Sequence, residues 1–238
     1  MSTVYMSAAH TPARAGRPGT TALLGVAAMC VLALALTWVV AALVPATHVK
    51  DAIALYDLTL LGGPRLDDLA NALLDLLDPL LYTLWSLMLV IVALRRGRPR
   101  VALAAAIVLG LAPLTAETLK PLLAHPHAWV GGRWIDAASW PSGHATAATA
   151  LAMCAVLVAP IRLRPTVATL GAMFMAGVGF SLLLLAWHLP SDVLGGYLVG
   201  TLWVVLAVAG LRAFEARLRS RRAPRVASTA GGVRARIP

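Results

Sequence analysis

Lysine is almost missing from this chain: 238 residues carry eighteen arginines but only Lys50 and Lys120. Neither lysine is background basic usage, and each needs its own explanation. Acids are also few, ten in all, and no acid-rich cluster of the metal-binding kind stands out. The two cysteines, Cys30 and Cys154, both fall inside apolar runs. That excludes a disulfide framework and suits two small core residues. No Walker-type glycine loop is present, so the usual nucleotide cradle is absent. There is no internal repeat. Long polar stretches are missing too, which leaves no room for a large soluble domain.

Apolar sequence fills the chain instead. Hydrophobic residues make up 60% of it, and the mean hydropathy is +0.81. Ordinary soluble domains hold about 45–50% apolar residues. A membrane-crossing helix needs roughly 20 mostly apolar residues. Six runs qualify, at about 21–44, 75–94, 101–123, 143–160, 166–187 and 191–210. They predict an all-α, polytopic membrane protein with six transmembrane helices in one domain over 21–212. Residues 1–20 read as a disordered cytoplasmic N-terminus and 213–238 as a basic cytoplasmic tail. Residues of about 50–74 read as an outer amphipathic segment. Leu66, Leu69, Leu73, Leu76 and Leu77 recur at helical spacing along 65–78. An early start to the second span is the plainer alternative. Arg14 and Arg17 precede the first run, as in a signal peptide. That run is too long for an h-region of about 7–15 residues, so it reads as a retained helix.

Arginine placement orients the chain. With a cytoplasmic N-terminus and six spans, sixteen of the twenty basic residues fall on the inner side. They include RRGRPR at 95–100, Arg162, Arg164 and eight arginines from Arg212 onward. Nine of the ten acids fall outside or near the outer ends, leaving only Glu215 inside. This is the positive-inside pattern, so both termini are expected in the cytoplasm. The net charge of +10 is then topology and not a nucleic-acid footprint. The expected setting is a multi-pass protein of the inner (plasma) membrane. The arginine and alanine bias suits a GC-rich bacterial source.

The same topology gathers the unusual polar residues at the outer face. Pro141-Ser142-Gly143-His144 opens the fourth run. Serine caps helix starts, and the free N–H groups there attract anions. Gly143 lets a phosphate approach the backbone, and His144 in the first turn can donate a proton. An ordinary cap with an interfacial histidine is the plain alternative. His188 and Asp192 flank Pro190. A carboxylate can hold one imidazole nitrogen and leave the other free as base or nucleophile. A satisfied pair at a tight turn explains them equally simply. Ser181 lies seven residues before His188, about two helical turns, on the same face of a continuous helix. It is either a packing serine or a ligand contact. Lys120 stands near the outer end of an apolar helix, where charge is costly and usually functional. Glu117, three residues earlier, is placed to pair with it, and a snorkelling lysine balanced by that acid is the alternative. A cationic cradle with two histidines suits phosphoryl transfer, one attacking phosphorus and the other protonating the leaving oxygen. A metal site built from His125, His127, His144 and His188 is the competing arrangement.

These residues resemble the type 2 phosphatidic acid phosphatase superfamily of integral membrane lipid phosphatases. That family carries Lys-x6-Arg-Pro, Pro-Ser-Gly-His and Ser-Arg-x5-His-x3-Asp motifs. The second is complete at 141–144, the third matches at Ser181, His188 and Asp192, and the first matches at Lys120. The resemblance implies an enzyme that needs no metal and no cofactor. It makes His188 the nucleophile that becomes a phosphohistidine, Asp192 its orienting group and His144 the general acid. Lys120, Ser142 and the Gly143 backbone bind the phosphate. The implied substrate is a lipid phosphate or diphosphate entering from the outer leaflet, with the active site on the extracytoplasmic face. Polyprenyl diphosphate, phosphatidic acid and phosphatidylglycerophosphate are the candidate classes. Transfer to a different acceptor is a variant of the same chemistry.

Two departures from the family pattern matter. The first-motif arginine falls on His127 and the third-motif arginine on Leu182. Losing one preorganised donor to a developing charge costs roughly 2.7–4 kcal/mol, about 10²–10³ in rate. His125, His127 and Arg133 are the candidates to replace them. Arg133 lies in the loop HAWVGGRW, whose glycines allow it to fold over the site, or it is a solvated loop charge. A non-catalytic lipid-phosphate binder or transport partner on the same scaffold is therefore the second functional reading.

Overall fold

A computed structural model describes residues 19–126 and 135–222. Among these residues there are eight helices and no strand. They are α1 (Thr20–Leu43), α2 (Pro45–Thr59), α3 (Pro64–Asp75), α4 (Pro79–Arg95), α5 (Pro99–Leu122), α6 (Gly143–Val158), α7 (Arg164–Leu184) and α8 (Pro190–Arg222). Proline sets most of these starts. It is the first residue of α2, α3, α4, α5 and α8 and the second of α7. A missing N–H costs nothing where the helix has no partner to offer.

Four helices are long and apolar enough to cross a membrane: Thr20–Leu43, Pro99–Leu122, Arg164–Leu184 and Pro190–Ser220. The pair α3 and α4, bent by 53° at its break, passes the same test together. α6 is apolar but has only 16 residues. At 1.5 Å per residue it rises about 24 Å, less than the roughly 30 Å of a bilayer core. Large apolar side chains stay exposed along α1, among them Leu24, Met29, Leu32 and Leu36, as a lipid-facing helix requires.

Several boundaries differ from the sequence expectation. The outer segment expected at about 50–74 is preceded and opened by a separate helix, α2, because Pro45 starts a helix directly after the α1 break at Val44. The amphipathic stretch 65–78 is helical only to Asp75. A turn over Leu76–Asp78 then separates it from α4, which Pro79 starts four residues later than expected. α8 runs on to Arg222 instead of ending near 210. After Pro190 the sequence offers no proline until Pro224, so nothing breaks the helix. The expected disorder of the first eighteen residues and of 223–238 lies outside the described residues.

α6 occupies the centre, with a buried face of Ala145, Ala148, Thr149, Leu151 and Cys154. Two glycines of α8 set its approach. A Cβ on Gly196 would lie 2.5 Å from the Ser142 carbonyl oxygen, and one on Gly200 would lie 2.6 Å from Thr149 Cβ. Small residues at i and i+4 let two helix backbones touch. Thr146 Oγ1 then donates to the Gly196 carbonyl at 3.1 Å. At the far end of α6, Arg98 donates to the carbonyls of Leu157 and Val158 at 3.2 Å each. Arg164 adds bonds to Leu157 and Ala159. These arginines complement the negative end of the helix dipole.

Candidate active site

The site grows from two helix starts tied backbone to backbone. Ser142 is the N-cap of α6, and its hydroxyl accepts from the Ala145 N–H at 3.4 Å. This is the predicted role. Its own N–H donates to the carbonyl of Asp192 at 2.9 Å. Asp192 is the third residue of α8, so the two helix starts are held together whatever the side chain at 192.

α7 delivers His188 by stopping early. The helix ends at Leu184, and Ala186 turns left-handed with φ of 52°. The Trp187 N–H then bonds the Leu182 carbonyl at 2.9 Å, and the Ala186 N–H bonds that of Leu183 at 3.1 Å. This is a Schellman ending, made here with alanine in the place usually held by glycine. It corrects the expected helix to residue 187. It also removes the same-face relation between Ser181 and His188, which needs a continuous helix. Ser181 is instead buried inside α7.

Asp192 is fully buried and faces back toward the turn. Its Oδ2 lies 3.3 Å from His188 Nδ1 and accepts the Leu189 N–H at 3.0 Å. One carboxylate thus holds both the ring and the backbone that carries it. With Nδ1 so engaged, Nε2 is the nitrogen left for chemistry. A second acid braces the same start from α2. The Ser191 N–H and hydroxyl both donate to Asp51. Burial pushes the Asp51 carboxyl above the usual carboxylate range, and the Ser191 bonds oppose that rise.

On the other side, Lys120 meets the α6 start. Its Nζ lies 2.7 Å from Glu117 Oε1. A Cβ placed on Gly143 would lie 3.6 Å from that Nζ and 2.6 Å from the same Oε1. The absence of a side chain at Gly143 thus leaves room for a group against the start of α6, and in this structure the group there is the Glu117 carboxylate. His144, in the first turn, stacks edge-on with Trp187, ring centroids 5.7 Å apart. It lies in the electrostatic field of His188, Lys120, Asp78 and Glu117.

The structure brings together Lys120, Ser142, Gly143, His144, His188 and Asp192. It sets His125 on the α1–α2 side, buried against Trp38 and His48, with Nδ1 3.0 Å from the Leu123 carbonyl. Leu182 is fully buried in the main apolar core with Val178 and Ala145. His127 and Arg133 lie outside the described residues. Among the described residues no group of three His, Cys, Asp or Glu side chains is placed to hold a metal. Sequence reasoning missed Asp51, Asp78 and Trp187. Trp187 adjoins His188 in sequence and could have been flagged, but Asp51 is 140 residues from its partner.

Comparison with known proteins bears on this arrangement. The PAP2 superfamily model matches residues 80–215, more than half of the chain and all of the gathered residues. The fold resembles a structure described as the first transmembrane PAP2 type phosphatidylglycerolphosphate phosphatase from Bacillus subtilis. The TM-score is 0.64 at 19% identity, over 81% of this chain and 96% of that one. No curated protein matches the chain by sequence.

Proposed function

The chain belongs to the PAP2 superfamily, and from that premise we propose that it is an integral membrane lipid phosphatase. It hydrolyses a lipid phosphate or diphosphate at the outer membrane face through a phosphohistidine. The observation that carries this reading is the buried His188–Asp192 pair beside the α6 start. In the first step His188 Nε2 attacks phosphorus, and the bond from phosphorus to the lipid oxygen breaks. His144 gives its proton to that oxygen, and the lipid product departs. In the second step His144 takes a proton from water, which attacks the phosphohistidine and frees inorganic phosphate and His188. Lys120 and the α6 N–H groups stabilise the phosphoryl oxygens throughout. Arginine placement supports this reading, with six spans, a membrane domain over 21–212, cytoplasmic termini and the site on the extracytoplasmic side of the inner membrane. Polyprenyl diphosphate, phosphatidic acid and phosphatidylglycerophosphate are the substrate classes to test.

One observation favours a second reading. Leu182, where the family motif has a cation, is sealed in the core. A lipid-phosphate binder without turnover tolerates that loss better than an enzyme does. Purified protein offered a panel of lipid phosphates, with and without chelator, separates the readings. Phosphate release that survives chelator and disappears in His188→Ala supports the enzyme. Release lost with chelator supports a metal site. Headgroup binding without release across the panel supports the binder.

A further inference from the structure

The phosphate cradle already contains an anion. Glu117 Oε1 sits 2.7 Å from Lys120 Nζ and against Gly143, the first residue of α6. Those are the two cationic features that a phosphoryl group would use: the ammonium and the positive end of a helix. A side-chain carboxylate there pairs with the ammonium and lies close against the helix start. Glu117 is also free to leave, since its side chain is 58% exposed while that of Lys120 is 23% exposed. No arginine offsets it from position 182, which is leucine in the core. Formally, Lys120 and Glu117 cancel.

We propose that Glu117 is an internal competitor for the phosphate seat and sets how strongly this site takes anions. The substrate phosphoryl group displaces the carboxylate from Lys120 and Gly143, and the carboxylate swings toward solvent. The ligand class is a tetrahedral oxyanion, carried by a lipid or free in solution. This deepens the phosphatase reading and rests on it for the location of the seat. A different role for Glu117, holding Lys120 in position for the substrate, predicts the opposite sign on removal.

The test uses full-length protein in detergent and compares wild type with Glu117→Gln and Glu117→Ala. Inorganic phosphate and orthovanadate are the probes, and binding is read as ligand-dependent protection from thermal unfolding. This readout needs no turnover. Both variants should bind the probes more tightly, on the order of five-fold, the size of one exposed ion-pair interaction. With a lipid phosphate substrate, KM should fall by a similar factor while kcat changes less. Asp57→Asn, which removes an exposed acid on α2, should leave probe binding unchanged and reports general charge effects. Weaker or unchanged probe binding in both variants overturns the proposal, and so does an equal gain in Asp57→Asn. Binding of neither probe by any form also overturns it. If wild type releases lipid phosphate while the Glu117 variants bind no tighter, only this inference falls. If the variants bind tighter but no form turns over lipid, the seat stands and the phosphatase reading falls.

Discussion

Asp192→Asn isolates what a single charge does for His188. The partners of the Asp192 side chain include His188 Nδ1 at 3.3 Å and the Leu189 N–H at 3.0 Å, both on Oδ2, and the Ser139 hydroxyl. Asparagine keeps the size and one acceptor oxygen, so either Oδ2 partner can still be served, but the negative charge is gone. The tie between helix starts is untouched, because Ser142 donates to the backbone carbonyl of residue 192. The variant should therefore fold, with a thermal midpoint near that of wild type. What it loses is stabilisation of a positively charged or phosphorylated imidazole. A hydrogen bond to an ionised group contributes about 1.5–3 kcal/mol, which is roughly 10- to 150-fold in rate. The loss should appear in kcat, since Asp192 is fully buried and holds the His188 ring. Single-turnover release of phosphate from a lipid phosphate in micelles measures it. A folded Asp192→Asn protein with kcat within two-fold of wild type refutes the assignment of Asp192 as the orienting group. A change confined to KM refutes it as well.

Two further variants probe the scaffold of the site. Ala186→Gly relieves a left-handed alanine and should raise stability by about 0.5–1 kcal/mol, the alanine strain less the added chain entropy. Thermal unfolding checks it, and turnover should stay at the wild-type level because the turn keeps its shape. Asp51→Asn addresses pH. The folded carboxyl has a raised pKa through burial, so the folded state holds its proton more tightly than the unfolded state. Stability from this group is then greatest at low pH and falls as pH rises from about 4 through the folded value. The wild-type thermal midpoint should show that decline, and Asp51→Asn should flatten it. An unchanged pH profile in the variant contradicts the assignment.

Much of this site was legible because its signals are local. Serine before glycine announced the α6 cap, and proline before aspartate announced the start of α8. The lysine was conspicuous through the scarcity of its own kind. Apolar runs located six of the eight helices, although Pro79, which starts α4, lay four residues past the expected start. What escaped the sequence was either long-range or against local preference. The Asp51–Ser191 bonds join residues 140 apart, and the Ser142–Asp192 bond joins residues 50 apart. No spacing rule reaches across such gaps. The early end of α7 escaped for a different reason. Left-handed turns are usually marked by glycine, and here the residue is Ala186, which reads as a helix former. The Ser181–His188 relation failed with it.

The charge balance of the cradle also constrains what the site can bind. Lys120 is offset by Glu117, and position 182 supplies packing in place of a cation. Among the described residues, electrostatic pull on a phosphate then rests on the α6 N-terminus and on whatever charge the histidines carry. A helix end contributes about 0.3–1 kcal/mol at an exposed position and up to about 2 when partly buried. That is too little to seize a hydrated phosphate ester from water. A substrate anchored by an acyl or prenyl chain is not drawn from bulk water: the chain, at about 0.8 kcal/mol per buried CH₂, holds it in the bilayer and concentrates its headgroup at the site. A weak cradle is workable only if the membrane supplies the grip. Leu182 in place of a family cation and the lipid-facing fold therefore both fit the proposed substrate, a phosphate presented at the membrane by its own anchor.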